Sequence, residues 1–349
     1  MKPKAFILTN GMLNTPNAKT AHGLIRGTDR FEITGVLDGE TAGQDAGVLL
    51  DGKHRGIPIF TDLDTALLAV PETTHLIIGI ATHGGVLPDD MVLLLEDAIR
   101  RKLHLVNGLH DYLSERPALQ ALAAANGVTL QDIRKPKHRS EMHFWSGEIY
   151  DVTCPIIAVL GMDCAMGKRT TARLLKEACL SSGYNAQMIY TGQTGWLQGG
   201  NYGFIFDSTL NDFVSGELEH AIVSCWRETK PDIIFIEGQS ALRNPSGPCG
   251  SEFIISGNAR YVVLLHAPKR TWFDQEPHWG EIPSVESEIA LIRALGAEVI
   301  GLGLHTEACT PDEALQFQSH YSERLGIPVV LPIQEGVHPL IPAIQKHMP

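Results

Sequence analysis

The sequence predicts an α/β protein with two parallel-sheet domains. Its 349 residues exceed what one hydrophobic core usually organises. Apolar stretches of strand length alternate with amphipathic stretches in both halves, as in βα units that form parallel sheets. A polar, basic stretch near residues 134–152 interrupts this alternation. We therefore expect a first domain over residues 1–137, a connector over 138–152 and a second domain over 153–349.

The first domain opens with an apolar strand, AFILT, followed by a helix over about 18–26 and a strand ending in GVLDG. Thr61 and Asp64 predict a capping box for the helix TDLDTALLAV. The remaining predicted elements are the strand HLIIGIA, the helix LPDDMVLLLEDAIRRK, the strand LHLVNG and the helix 117–126, which Gly127 closes.

The turn after the first strand lacks the glycine pattern of a dinucleotide site. It reads TNGMLNTPNAKTAHG, with one early glycine in place of G-x-G-x-x-G. Asp38 follows the second strand, where an acid can contact a ribose, but capping of the next turn explains it better. His110 and Asp111 follow a later strand, where either ligand binding or a local turn accounts for them. The sequence does not support an NAD-dependent dehydrogenase.

The second domain repeats the strand–loop–helix order. Its predicted strands are 156–160, 186–191, 233–237, 261–266, 297–304 and 327–331. Thr310, Pro311 and Glu313 form a helix N-terminal signal of cap, first-turn proline and acid.

The stretch GMDCAMGKRTT, between the first of these strands and its helix, resembles a phosphate-binding loop with two departures. The usual pattern is G-x-x-x-x-G-K-[ST], in which the hydroxyl after the lysine binds Mg²⁺. Here five residues separate Gly161 from Gly167, and Arg169 occupies the hydroxyl position. The residues expected to bind the phosphate ligand are Gly161, Asp163, Cys164, Ala165, Met166, Gly167, Lys168, Arg169, Thr170 and Thr171.

Three further side chains are candidate catalytic groups. Glu237 ends the third strand, where an acid beside a phosphate loop can bind Mg²⁺ or act as a base, although it can also cap the next turn. Asp207, in FDSTLNDF, is a weaker acidic candidate. His266, which opens HAPKR, is either a core histidine or a base. In the same motif, Arg270 suits a carboxylate or a phosphate.

Composition restricts the partners. The net charge is −12 and no Lys/Arg run is present, which argues against nucleic acid or an anionic membrane. No apolar run reaches the roughly 18–20 residues of a membrane-spanning helix. The six cysteines form no C-x-x-C pair, and no secretory signal opens the chain, so we expect a cytoplasmic protein with free thiols. We expect a homo-oligomer on general grounds.

Two resemblances follow from these motifs. GMDCAMGK and a strand ending in Glu237-Gly238 resemble dethiobiotin synthetase-like P-loop proteins. More closely, GIATHGG, GLHDYL, DIRKP, GMDCAMGKRTT, TGQTG and EGQSAL resemble, over nearly the whole chain, a bacterial and archaeal P-loop family long regarded as of unknown function. The resemblance implies an N-terminal Rossmann-like domain and a C-terminal P-loop NTPase-like (dethiobiotin synthetase-like) parallel-sheet domain.

That family includes D-glutamate N-acetyltransferases, which act beside a dipeptide-epimerase-like racemase in D-glutamate breakdown. A non-hydroxyl residue after the lysine, followed by two threonines, is the family's usual pattern, so Arg169 fits it. The family usually reads EGQGSL where this chain reads EGQSAL, so Ser240 puts a side chain where a glycine would let the backbone approach a ligand.

The resemblance leaves three hypotheses open. The first is transfer of an acetyl group from acetyl-CoA to D-glutamate or a similar amino acid, with Glu237 as the base and Asp207 or His266 as the next candidates. The second is ATP- and Mg²⁺-dependent activation of a carboxylate, with Thr170 or Thr171, Asp163 and Glu237 at the metal. The third is a nucleotide-dependent regulatory switch. The residues predicted to contact the amino acid or carboxylate substrate are Gln193, Thr194, Gly195, Gln239, Ser240, Arg243 and Arg270.

Overall fold

The structure is a computed structural model that describes residues 2–348, and the chain forms two compact units. Unit 1 contains the chain through Pro136 together with Gln193–Gly199, and unit 2 contains Lys137–Gly192 and the chain from Gly200 onward. Residues 138–152, expected as a connector, therefore belong to unit 2.

Unit 1 is a six-stranded parallel sheet with the order β3-β2-β1-β4-β5-β6. Its strands are β1 Lys4–Leu8, β2 Glu32–Leu37, β3 Ile59–Phe60, β4 His75–Ile78, β5 His104–Asn107 and β6 Leu130–Asp132. Its first helices are α1 Lys19–Arg26, α2 Ala46–Asp51, α3 Leu63–Ala69, α4 Asp89–Arg100 and α5 Pro117–Asn126. The strand order reverses between β1 and β4, so unit 1 has the Rossmann-like doubly wound topology that the sequence predicts.

One detail of unit 1 was wrong in the sequence prediction. The cap of α3 is Asp62, whose side chain accepts from the Thr65 N–H at 2.8 Å, and not Thr61 paired with Asp64. An aspartate accepts this bond as well as a threonine does, so the two registers cannot be separated by residue type. The end of α5 is as predicted, because Gly127 takes the left-handed conformation there at φ 67°.

Unit 2 is a seven-stranded parallel sheet with the order β13-β12-β11-β7-β10-β8-β9. Its strands are β7 Ile156–Gly161, β8 Ala186–Tyr190, β9 Tyr202–Gly203, β10 Ile233–Glu237, β11 Tyr261–His266, β12 Glu298–Leu304 and β13 Val329–Val330. The remaining helices are α6 Lys168–Ser181, α7 Gln193–Leu197 (in unit 1), α8 Asn211–Thr229, α9 Ser251–Ile255, α10 Val285–Ala294, α11 Pro311–Leu325 and α12 Ile341–Gln345. Because β7 and β10 are neighbours, the loops after both strands share one carboxyl edge of the sheet.

Residues 146–149 are bound to α8 by a buried carboxylate. Glu219, 3% exposed, accepts from the backbone N–H groups of Ser146, Gly147 and Ile149 at 2.5, 2.8 and 3.1 Å. A Cβ on Gly216 of α8 would lie 2.0 Å from the His143 carbonyl oxygen, so this close approach requires glycine.

We expect Glu219→Gln to lower the free energy of unfolding by about 1–3 kcal/mol, because an amide offers fewer acceptor sites and leaves a buried N–H group unpaired. Urea unfolding followed by circular dichroism measures this. Glu177→Gln is the control, since Glu177 is exposed and its ion pair with Arg173 lies at the surface. Equal loss in both variants would contradict the expectation.

Within residues 2–348, none of the helices combines the length and apolarity that crossing a bilayer demands. The six cysteines are free thiols in the structure, as expected from their spacing.

Candidate functional site

The loop between β7 and α6 wraps around the side chain of Lys168. Its Nζ donates to the Asp163 carbonyl oxygen at 2.6 Å. Gly167, with φ 84°, turns the chain into α6. A Cβ on Gly161 would lie 3.2 Å from the Lys168 Cδ atom, so glycine there leaves room for the lysine stem. A Cβ on Gly238 would lie 3.2 Å from the same atom but 2.2 Å from the Val159 carbonyl oxygen, so the backbone approach to β7 is what requires that glycine. Burial lowers the pKa of Lys168, because removing an ammonium group from water disfavours its charged form.

Asp163 holds this loop in place. The side chain is fully buried, and its Oδ1 accepts from Asn244 Nδ2 at 2.7 Å. Its Oδ2 accepts from Arg270 at 2.8 Å and from the Asp274 backbone N–H at 2.8 Å. Arg270 also pairs with Glu307. Both oxygens of Asp163 are therefore used in fixing the loop.

The possible metal ligands beside the loop already have partners within the protein. Asp163, Cys164 and Asp274 place possible ligand atoms within 4.8 Å of one another. However, Arg270 pairs with Asp163, and Asn244 donates to Asp274 as well, at 3.1 Å. A cation at this position would face the guanidinium charge and compete for oxygens that already accept hydrogen bonds.

Glu237 lies at the carboxyl end of β10 as a buried acid. Its Oε2 accepts from the Thr191 N–H at 3.2 Å, and its backbone carbonyl accepts from the Thr191 hydroxyl at 2.6 Å. Burial raises the pKa of Glu237 to about 7, against the opposing effects of Arg169, of the Thr191 N–H and of Lys168. A carboxyl group that titrates near neutrality is suited to proton transfer.

The three residues after Lys168 differ in burial: Arg169 and Thr170 are half-buried, and Thr171 is buried. Arg169 is half-buried and exerts an electrostatic effect on Glu237. Thr170 is half-buried, whereas Thr171 is 2% exposed and belongs to the buried side of α6. Of the two threonines predicted to replace the magnesium ligand, Thr171 is thus committed to helix packing.

The EGQSAL turn lies next to the loop. Gln239 donates to the Thr191 hydroxyl at 2.9 Å. Ser240 has a φ of 29°, a left-handed conformation that favours glycine, and its Oγ lies 3.5 Å from Cys164 Sγ. The serine is therefore held in a conformation that a glycine would adopt without strain.

The two arginines predicted to bind substrate carboxylates pair with acids of the protein. Arg243 Nε donates to the buried Glu288 at 2.7 Å. Arg270 pairs with Asp163 and Glu307, as described above. Substrate binding by either arginine stays a prediction.

The other two catalytic candidates lie in different surroundings. Asp207 is exposed on a short turn before α8. His266 is 7% exposed; its Nε2 lies 3.0 Å from the Tyr321 hydroxyl, and within residues 2–348 its buried Nδ1 has no hydrogen-bond partner. Burial lowers the pKa of His266 to about 4, against the charge of Glu286.

The low pKa of His266 predicts a pH-dependent stability. His266 takes up a proton near pH 6.5 in the unfolded chain but only near pH 4 in the folded protein. The contribution of neutral His266 to the free energy of unfolding is therefore fully present above pH 6.5 and is lost as the pH falls towards 4. Between about pH 7.5 and pH 5, we expect the wild type to lose about 2 kcal/mol of unfolding free energy relative to His266→Gln.

Urea unfolding of both proteins at the two pH values measures this difference. The comparison with the variant is needed because Glu237 has a raised pKa, so protonation of Glu237 increases the free energy of unfolding as the pH falls through the same range. Parallel pH dependences of the wild type and His266→Gln would contradict the expectation.

The predicted substrate residues of the TGQTG motif belong to unit 1. Gln193 Oε1 accepts from Arg134 at 2.8 Å, and Thr194 Oγ1 lies 3.2 Å from the Thr20 hydroxyl. Gly195 is buried beside them in α7. Contact of these three residues with substrate stays a prediction.

The acids considered in unit 1 have local partners. Asp38 is buried, and its Oδ1 accepts from the Thr41 N–H at 3.2 Å in the turn that follows β2, which matches the preferred capping interpretation. Its Oδ2 accepts from the Thr9 hydroxyl at 2.7 Å and the Leu13 N–H at 2.9 Å. Asp111 pairs with Arg116 at 2.6 Å. The His110 N–H donates to the Gly85 carbonyl at 3.0 Å.

Sequence reasoning missed Asn244, Asp274 and Glu307, which complete the network around Asp163. Asn244 lies in the stretch RNPSGPCG, where its Oδ1 accepts from the Ser246 N–H at 2.9 Å. An Asn-Pro-Ser turn in the loop after a phosphate-site strand was a usable signal for it.

Comparison with known proteins finds similarity along most of the chain. Residues 143–341 match a family described as a domain of unknown function (DUF1611_C), P-loop domain. Residues 39–136 match its Rossmann-like partner, DUF1611_N. A crystal structure of a DUF1611 family protein from Anabaena variabilis superposes with a TM-score of 0.89 at 28% identity, covering 99% of this chain and 100% of that one.

Two relatives have named activities. A protein from Pseudoalteromonas sp., named D-glutamate N-acetyltransferase, is 29% identical over 272 residues, which is 76% of this chain and 79% of the relative. A protein of the same name from Tritonibacter scottomollicae is 29% identical over 300 residues, 84% of this chain and 86% of the relative.

Proposed function

The chain belongs to the DUF1611 family, and from that premise we propose that it is an N-acetyltransferase that moves an acetyl group from acetyl-CoA to D-glutamate or a related amino acid. The observation that carries the proposal is a buried Glu237 with a pKa of about 7, beside a phosphate loop that has Arg169 in the usual hydroxyl position. The two relatives named D-glutamate N-acetyltransferase support the substrate class.

The loop suits the phosphates of coenzyme A. Backbone N–H groups at the start of α6 and the Lys168 ammonium provide positive potential for a pyrophosphate. Coenzyme A does not require a magnesium ion to bind. The substitution of Arg169 for a hydroxyl, and the use of both Asp163 oxygens in loop contacts, favour such a donor over Mg²⁺–ATP.

Glu237 serves as the general base. The substrate arrives as an ammonium ion, and one of its protons passes to the Glu237 carboxylate, which frees the nitrogen lone pair. The nitrogen attacks the thioester carbonyl carbon; the C–N bond forms, the C–S bond breaks, and a second nitrogen proton leaves with the thiolate sulfur. The products are the N-acetyl amino acid and the free thiol.

Arg169 binds the substrate carboxylate in this scheme. Its charge acts on Glu237, which places the guanidinium near the proposed base. A guanidinium close to the base would orient an α-amino acid with its amine towards Glu237 and its carboxylate towards Arg169.

The test is a thiol-release assay with acetyl-CoA and D-glutamate, L-glutamate, D-glutamine or no amine, with mass spectrometry of the product. We expect thiol release that requires the amino acid and produces an N-acetyl compound without Mg²⁺. Mg²⁺-dependent ADP release from ATP with a carboxylic acid, and no acetyl transfer, would overturn the proposal in favour of ATP-dependent ligation.

A further inference from the structure

Unit 1 carries a piece of the chain that comes from between two strands of unit 2. This piece, Gln193–Gly199, follows β8 and precedes β9, and we call it the inserted segment. Its residues Gln193, Thr194 and Leu197 are buried. Unit 1 is therefore built around a segment that the P-loop half of the sequence provides.

The start of the inserted segment meets unit 1 at the carboxyl edge of its sheet. Thr20, which faces Thr194, lies in the first turn of α1, and Arg134, which donates to Gln193, follows β6. A Cβ on Gly108, directly after β5, would lie 2.9 Å from Gln193 Cγ, so glycine is needed for this contact. In a Rossmann-like sheet this edge is where a dinucleotide binds.

The rest of the inserted segment runs along α1. Gln198 Nε2 donates to the carbonyl oxygens of Gly23 and Gly27 at 2.8 and 3.1 Å. The Thr28 hydroxyl donates to the Leu197 carbonyl at 2.7 Å, and the Leu197 side chain is fully buried in the core of unit 1. Gln198 thus supplies a donor at the end of α1, where the last carbonyl groups of a helix generally need donors from outside it.

An arginine covers the outer side of the segment. Arg30 Nε donates to the Trp196 carbonyl at 2.7 Å, and its guanidinium carbon lies 3.9 Å from the centre of the Trp196 ring. Hydrogen bonds, a buried leucine and a cation–π contact thus hold a segment of seven residues.

The residues directly before the segment contact the proposed base. Thr191 and Gly192, in unit 2, precede Gln193 in the chain. The Thr191 N–H donates to Glu237 Oε2, and the Gly192 N–H also lowers the pKa of Glu237. The two peptide groups that bind Glu237 are therefore covalently continuous with a segment fixed in unit 1.

We propose that unit 1 binds the chain's own inserted segment where related folds bind a dinucleotide, and thereby positions the Thr191 and Gly192 N–H groups that hold Glu237. Thr20 and Gln198 are positioning residues in this proposal, because they act on Glu237 only through the chain. Unit 1 then needs no nucleotide of its own, in agreement with the missing glycine fingerprint.

Hydrogen–deuterium exchange tests the proposal without any assumption about the reaction. Thr20→Val removes the Thr20–Thr194 hydrogen bond at nearly constant volume, and Gln198→Leu removes both carbonyl contacts. We expect the amides of Thr191 and Gly192 to exchange at least about tenfold faster in either variant, because each fixed contact restrains local opening.

Thr34→Val is the matched control, because Thr34 forms a similar bond with Thr73 in unit 1, at 3.0 Å, away from the inserted segment. It should leave exchange at Thr191 and Gly192 unchanged. The proposal is overturned if Gln193–Gly199 exchanges faster while the Thr191 and Gly192 amides do not, or if Thr34→Val accelerates them equally.

The pH profile of kcat/KM is a second readout, and this arm alone rests on the proposed acetyl transfer. Lys168 and Arg169, both on α6, are the charged groups that act on Glu237, and neither is altered in the variants. Weaker Thr191 and Gly192 bonds should raise the pKa of Glu237 and move the acid limb to higher pH in Thr20→Val and Gln198→Leu, but not in Thr34→Val. If the Thr191 and Gly192 amides exchange faster but the acid limb of the pH profile does not move, the positioning by unit 1 stands and Glu237 is not the base.

Discussion

Lys168→Met is expected to raise the KM for acetyl-CoA by about 10- to 100-fold, because charge-assisted hydrogen bonds to phosphate contribute about 1.5–3 kcal/mol. Methionine retains an unbranched stem that fits between Gly161 and Gly238, so the change removes mainly the ammonium group. Steady-state thiol release at varied acetyl-CoA measures the effect.

The same substitution should leave thermal stability unchanged or higher. Burial already lowers the pKa of Lys168, so the folded protein gives up a desolvated cation when methionine replaces it. Lys176→Met on the same helix is the control and should alter neither quantity, because Lys176 lies two turns further along α6. An unchanged KM in Lys168→Met would remove the loop from donor binding.

Glu237→Gln is expected to lower kcat by about 10²- to 10⁴-fold, the usual contribution of a general base. In the wild type the base must be deprotonated, so kcat/KM should rise with pH through about 7, the pKa to which burial raises Glu237. In Glu237→Gln that acid limb should disappear from the pH–rate profile.

The control for this prediction is an acid elsewhere in the chain. Asp207→Asn alters the exposed alternative candidate and should retain both the rate and the limb. If the acid limb of kcat/KM near pH 7 persists in Glu237→Gln, or if it disappears in Asp207→Asn, the base is a group other than Glu237.

The regular elements of the fold could largely be predicted because their signals are local. Pro311 and Glu313 mark the start of α11, and the capping box with Thr310 is present in the structure. The strands β3, β6 and β9, which have two or three residues, were not predicted, and β13 is shorter than expected, because a strand of that length carries no periodicity.

The site could be predicted only where its residues are neighbours in sequence. The loop from Gly161 to Lys168 could be predicted as a phosphate-binding loop, because glycines and a lysine at that spacing are typical of phosphate binding. The partners of Asp163 come from Asn244 and Arg270, 81 and 107 residues further along the chain, so only the folded sheet reveals them. No local pattern indicated that Gln193 would belong to the other unit.

The inserted segment also constrains the order in which the protein folds during synthesis. When the ribosome has made the chain as far as Pro136, the first unit still lacks Leu197, which its core contains, and the partners of the carbonyls at the end of α1. It can complete its core only after β7, α6 and β8 of the second unit have emerged. A gene fragment ending at the apparent domain boundary should therefore yield an incompletely packed, aggregation-prone product, and co-expression with the second half should rescue it.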